Sequence, residues 1–186
     1  MNPTEPNDID QRYAAIPERN TGDSMMRTVQ QHHVQLSVMA DVKANILITV
    51  SSIVLTMVLG KMNDPNLRPA MLTLAGFVLA ALLLAVIAVL PKYRPLRLKP
   101  GAELPANFNV MFFGHFAELP KERFLVEIAE ALKADGSVYE TMARDIYSLG
   151  YYLAHYKYRF LRLSYLFFLG GFVCACLVEA VYLLSH

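Results

Sequence analysis

The sequence predicts an all-α membrane protein: three transmembrane helices, a cytoplasmic helical hairpin, and a last cytoplasmic helix continuous with the third span. Three observations predict it. Ala44–Gly60, Ala70–Leu90 and Leu163–Val178 are apolar runs without a single acidic or basic residue. Basic residues crowd both ends of the polar segment that separates the second run from the third. An apolar spacing of three and four also starts inside that segment and continues into the third run with no proline to stop it. The 55% hydrophobic content and mean hydropathy of +0.33 agree, but it is the clustering that decides the class.

A bilayer core about 30 Å thick needs about 20 helical residues. Ala70–Leu90 has that length directly. Ala44–Gly60 reaches it when Val42 and Met62 are included, giving expected spans at about 42–62 and 70–90. Leu163–Val178 reaches it when Ala180–Ser185 is added, which places Glu179 near the far interface. The net charge of +1 hides an asymmetry: of 17 Lys and Arg, eleven fall between Pro91 and Arg162. Lys92, Arg94, Arg97 and Lys99 follow the second span, and Lys157, Arg159 and Arg162 precede the third. The positive-inside rule then places 91–162 and the N-terminus in the cytoplasm and the C-terminus outside. Attraction of the same cations to anionic head groups is the alternative role.

The elements follow in order. Met1–Asp23 is polar, holds Pro3, Pro6 and Pro17, and lacks the pattern of a signal peptide, so a disordered tail is expected. Asp23 or Ser24 is positioned to cap a helix leading through Met25, Val29, Leu36 and Met39 into the first span. Asp64-Pro65-Asn66 reads as a short turn closing a hairpin of the first two spans, and Pro91 ends the second. Prolines 95, 100 and 105 make 92–105 an irregular connector. Pro120 opens a helix to about Ala134, and Asp135-Gly136 is the expected turn after it. Ser137 with Glu140 resembles a capping box. From there Tyr139, Met142, Ile146, Leu149, Leu153, Tyr156, Phe160, Leu163 and Phe167 make a heptad-spaced stripe, which predicts one helix from Ser137 to about Leu184. A break at Gly150 is the alternative. The domains are thus 1–23, 24–90, a sensor region 91–162, and a third span in 163–186.

Enzymatic chemistry has little support. The serines fall in spans or at a cap, and there is no G-x-S-x-G, Walker sequence or G-x-G-x-x-G. His32 and His33 diverge on a helix, and His115 and His155 stand alone, so neither a metal nor another cofactor is expected. Cys174 and Cys176 point about 200° apart on a helix, which suits packing rather than a disulfide. Two segments remain. Asp41 and Asn45 share a helix face at the membrane entrance with Lys43 beside them, and a partner is expected among the basic residues of the third helix, Arg159 or Arg162. A snorkelling Lys43 beside an interfacial Asp41 is the plainer alternative. In Asn109–Phe116, NVMFFGHF, the rings could stack on a base, Gly114 permits close backbone approach, and His115 could donate to a phosphate. Packing of these rings between helices or under the bilayer is the alternative. Lys157 and Arg162 are candidate contacts for an anion.

The order of short motifs then carries a resemblance. A D-x-K-A entrance to the first span (Asp41, Lys43, Ala44) is followed by a second span and N-x-x-F-F-G-H-F (Asn109–Phe116). Next come D-I-Y-x-L-G (Asp145–Gly150) and K-Y-x-x-L-R (Lys157 to Arg162) before the last span. This resembles the membrane effector family of Pycsar anti-phage defence, over roughly residues 25 to 183. The resemblance implies an inner-membrane effector that responds to a cyclic pyrimidine mononucleotide, cCMP or cUMP, made by a partner nucleotide cyclase. The effector would impair the bacterial membrane and abort the infection, as a homo-oligomer that binds no nucleic acid. On that reading the ligand is expected near Phe113, Gly114 and His115, against Lys157 or Arg162, with Asp41, Lys43 and Asn45 at the gate. No β-rich cyclic-nucleotide-binding domain is legible in the chain. Two other classes stay open: a constitutive channel or transporter subunit, and a membrane scaffold that docks a cytosolic partner.

Overall fold

The computed structural model describes residues 20–90, 103–105 and 108–185. The tail before Asn20 and most of the proline-rich connector, with Lys92, Arg94, Arg97 and Lys99, lie outside the described residues. Those residues form α1 (Asn20–Lys61), α2 (Arg68–Val89), a short α3 (Phe113–Phe116), α4 (Lys121–Ala131), α5 (Asp135–Tyr152), a π-helical segment (Leu153–Lys157) and α6 (Tyr158–Ser185). There is no strand among them. Three helical stretches, in α1, α2 and the run Asp135–Ser185, are long and apolar enough to cross a membrane.

The chain divides into two units. One contains the described residues up to Val34 together with those from the connector to Tyr151; the other holds Gln35–Pro91 and Tyr152 onward. In the second unit the three spans meet through small side chains. The inward face of α2 is Ala70, Leu74, Val78, Ala81, Ala85 and Ala88, at spacings of four, four, three, four and three. Apolar lipid gives helices little reason to associate, so small residues that allow close backbone approach must supply dispersion contact. One cluster joins Val58, Ala70, Leu74, Val78 and Ala175, and another joins Ala40, Ala44, Ala88 and Leu161. Gly171 marks the tightest approach: a Cβ there would stand 2.6 Å from the Cβ of Phe77. The buried Ser164 hydroxyl donates to the Ala81 carbonyl of α2. It thereby meets an acceptor that lipid would otherwise leave with nothing beyond its own helix.

The link between α1 and α2 is six residues, Met62 to Leu67. Asp64 organises it, accepting from the Asn66 amide at 3.0 Å through Oδ1 and from the Arg68 amide at 3.0 Å through its carbonyl. The Tyr182 hydroxyl reaches Asn66 Oδ1 at 3.4 Å, tying the far end of α6 to this turn. Leu90 turns extended after α2, at φ −64° and ψ 124°, because the ring of Pro91 disfavours a helical residue before it.

Several boundaries differ from the sequence expectation. α1 is already helical at Asn20, so Asp23 lies inside it and accepts from the Tyr139 hydroxyl at 2.8 Å. α4 stops at Ala131, and Asp135-Gly136 form the first turn of α5 rather than a separate loop. Ser137 is not the N-cap but the third residue of α5; its hydroxyl accepts from the Ala134 amide at 3.3 Å and lies against the carbonyls of Ala131 and Ala134, at 2.8 and 2.7 Å. Gly150 is helical, and a Cβ there would sit 3.1 Å from His33 Cε1.

The largest departure is the π-helical segment. A π turn holds one more residue than an α turn, so every later side chain moves one position around the helix. The stripe read from the sequence holds at Leu153, which is buried, but the buried positions that follow are Lys157, Leu161, Ser164, Gly171 and Ala175. Each of Tyr156, Phe160, Leu163 and Phe167 falls one residue short of the observed face. Heptad spacing runs unbroken through this segment in the sequence and so gives no sign of the inserted residue; the stripe it marks is in fact more apolar than the face that is buried.

Candidate functional site: a buried lysine at the membrane entrance and an aromatic segment

In the span-bearing unit, the π turn swings Lys157 inward until its side chain is only 8% exposed. Its ammonium donates to Asp41 Oδ2 at 2.7 Å and to the Ser37 hydroxyl at 2.8 Å, one turn apart on α1. The expected partner of Asp41 was Arg159 or Arg162; both are exposed, and the inserted residue puts Lys157 there instead. Two phenols from the same helix add to the tie. Tyr158 donates to the Leu36 carbonyl at 3.1 Å and Tyr165 to the Lys43 carbonyl at 3.3 Å.

Asp41, Lys43 and Asn45 therefore do three different things. Asp41 is the ion-pair acceptor and keeps 42% of its side chain exposed. Lys43 is exposed, offering its backbone to Tyr165. Asn45 is exposed on the outside of the bundle, and its side-chain amide makes no hydrogen bond among the described residues, against the expectation of a basic partner on the third helix. On the inward face of α1, Ser51 is fully buried and its hydroxyl is likewise unpaired among the described residues.

In the other unit, Asn109 organises the aromatic segment. It is 4% exposed. Its amide nitrogen donates to His115 Nδ1 at 3.0 Å, its Oδ1 accepts from the Met111 amide at 2.9 Å, and its Nδ2 donates to Asp145 Oδ1 at 2.9 Å. The second Asp145 oxygen accepts from Gln30 at 2.9 Å. His115 accepts at Nδ1, which makes it the neutral Nε2–H tautomer, and burial lowers its pKa from the usual histidine value. Its ring lies against Phe108, stacked at 5.8 Å, and edge-on to Phe112 at 5.1 Å. Gly114 is buried because the Phe112 ring lies across it, where a Cβ would come within 2.4 Å of Phe112 Cε1. The close approach expected of Gly114 is thus made by the protein's own ring. Phe113 is 61% exposed.

Beside this segment lies a cavity of about 250 Å³ whose walls include Phe108, Asn109, Glu127, Glu130, Glu140, Thr141 and Arg144. Arg144 Nε donates to Glu140 Oε1 at 2.8 Å, one turn back along the same wall. Sequence reasoning missed this wall. Glu127, Glu130, Glu140 and Arg144 sit on two different helices at ordinary solvent-face spacing, and no local pattern marks them. Of the five candidate ligand residues, Phe113, Gly114 and His115 belong to the first unit, and Lys157 and the exposed Arg162 to the second. No group of three or more His, Cys, Asp or Glu that could hold a metal ion is found among the described residues.

Three apolar spans packed through small residues, with an all-helical polar unit beside them in the chain, define a helical membrane protein. Within that class the family can be stated. The family model described as the Pycsar effector protein domain, PycTM, matches residues 24–184, and the chain belongs to that family. Neither the curated proteins nor the solved structures compared with the chain give a match.

Proposed function

We propose that this chain is the membrane effector of an anti-phage defence system, responding to cCMP or cUMP and impairing the inner membrane so that infection aborts. The observation that carries the reading is the match to the Pycsar effector family over 24–184, which takes in all three apolar helices. The protein acts without catalysing a reaction, as a homo-oligomer in the bilayer, and depends on a separate cyclase for its signal. The N-terminus and 91–162 face the cytoplasm and the C-terminus the periplasm, a placement supported by the basic residues that flank the polar segment.

The sensing residues are sought in Asn109–Phe116 and the adjoining cavity, with His115 offering the Nε2–H donor. Response passes through the membrane entrance, where Lys157 holds Asp41. Isothermal titration of the detergent-purified full-length protein with each nucleotide tests direct sensing. Saturable heat with cCMP or cUMP is expected; no heat with either, while phage protection persists in cells, sinks the direct sensor. Alanine at His115 is expected to abolish cyclase-dependent toxicity at unchanged membrane abundance, and unchanged toxicity removes that residue from the site.

A further inference from the structure

The outward faces of the three spans differ. On α2 the exposed large side chains are Leu72, Leu79, Leu83 and Ile87, and on α6 they include Leu166, Leu169, Val173 and Leu177. Both are ordinary lipid-facing surfaces. α1 has such a strip too, in Ile46, Ile53 and Met57. Next to it runs a second exposed line: Val38, Val42, Asn45, Thr49, Ser52, Thr56 and Leu59. These seven positions are spaced four, three, four, three, four and three, which is the a/d repeat of a helix that pairs with another helix. They span 22 residues, roughly 32 Å at a rise of 1.5 Å per residue, close to the thickness of a bilayer core.

No face among the described residues is available to this line. The residues α1 buries against α2 and α6 are Ala40, Ala44, Leu47, Ser51 and Val58, centred roughly 140° away around the helix at 100° per residue. Its middle is polar. The hydroxyls of Thr49, Ser52 and Thr56 donate to the carbonyls of Asn45, Ile48 and Ser52, at 3.0, 2.8 and 2.9 Å, which settles their donors within the helix and leaves compact polar surfaces outward. The Asn45 amide has no such bond among the described residues, and hydrocarbon offers none.

We infer that the outer line of α1, Val38 to Leu59, is a self-association seam that meets the same line of a second copy. Copies inserted in one orientation are related by an axis along the membrane normal, so each residue meets its own equivalent at its own depth. Asn45 then meets Asn45, an amide pair that donates and accepts at once, and Thr49, Ser52 and Thr56 each face a hydroxyl. A foreign helix would have to reproduce the whole depth pattern; a second copy does so by construction. The apolar ends, Val38, Val42 and Leu59, close the seam above and below. The inference rests only on the membrane-spanning part of the proposed function.

The test uses the full chain in native membranes, with Cys174 and Cys176 replaced by alanine. Single cysteines replace Thr49, Ser52 or Thr56 on the seam, or Leu79 or Leu169 on the other outward faces, and oxidative crosslinking is read as dimer on a denaturing gel. Dimer is expected at all three seam positions, several-fold above Leu79 and Leu169. No dimer at the seam, or equal yield on all faces, overturns the inference. Asn45→Leu in the Ser52→Cys background is expected to lower the yield about three-fold, the usual size of one interhelical polar contact in a bilayer; an unchanged yield removes Asn45 from the seam. Neither nucleotide nor phage is needed, so this result and the signalling result are independent.

Discussion

The two units hold themselves together by different means. In the unit around Asn109 the ties between distant parts of the chain are polar: Gln30 and Asn109 converge on Asp145, and Tyr139 donates to Asp23. In the span-bearing unit the ties are small side chains set close, with Gly171 under Phe77 and alanines along α2. Polar ties enter it where an ion pair sits at the membrane entrance and a serine meets a carbonyl. Solvent explains the difference. Water competes for hydrogen bonds but drives apolar burial, whereas lipid does neither, so close packing and a few committed polar contacts take over.

The comparison can be broken most severely at Gly171. Gly171→Val should destabilise the bundle by about 3 kcal/mol, at the upper end of overpacking effects, because the new Cβ overlaps Phe77 while Leu74 closes the other side. Gly170→Ala, whose Cβ would lie at an ordinary 3.7 Å from Phe77, should be nearly silent. Thermal unfolding in detergent separates them, and equal effects would deny the close-packing account.

Next comes the ion pair, whose two ends are unequal. Asp41→Ala leaves a buried ammonium with only Ser37, and a loss of about 2 kcal/mol is expected, below the usual range for a fully buried pair because Asp41 itself is half exposed. Lys157→Met leaves a carboxylate that can hydrate, so its cost should be less than half as large. A larger loss for Lys157→Met would reverse the assignment of which partner is stranded.

In the polar unit, Asp145→Ala removes the acceptor shared by Gln30 and Asn109. About 1.5 kcal/mol is expected, seen as faster proteolysis within 103–151 while Gly171-dependent melting stays put. Coupled loss of both would merge the two units into one.

The smallest effect is set by pH. Burial lowers the His115 pKa, so the opened segment binds more protons than the closed one. The stabilising contribution is therefore present above the ordinary histidine value near 6.5 and is lost as pH falls through the lowered one. Protonation also removes the acceptor of the Asn109 amide. Hydrogen exchange at that amide, corrected for intrinsic rate, should quicken at low pH, and His115→Phe should abolish the effect.

The spans, the hairpin and the family were legible because apolar runs, turn residues and motif order are all linear signals. Asp41 was legible as a residue seeking a cation, but not its partner: the π turn moved Lys157 into the place expected of Arg159 or Arg162. Asn109 was read as the leading letter of a motif, and its three-way bonding could not be foreseen because Asp145 lies far along the chain. Asn45 was expected to face inward. Its outward position depends on which side of α1 carries Ala40, Ala44 and Leu47, and those alanines look no more buried in the sequence than their neighbours.

The six-residue link between α1 and α2 also bears on how the protein is made. A link that short holds the near ends of the two helices together, so the two spans run in opposite directions across the membrane. The orientation of one span therefore fixes the orientation of the other. Only α6 remains to be placed, and its far end finds the hairpin by the Tyr182 contact to Asn66. A charge added at the turn would then act on the whole pair, and biogenesis rather than folded stability would register it first.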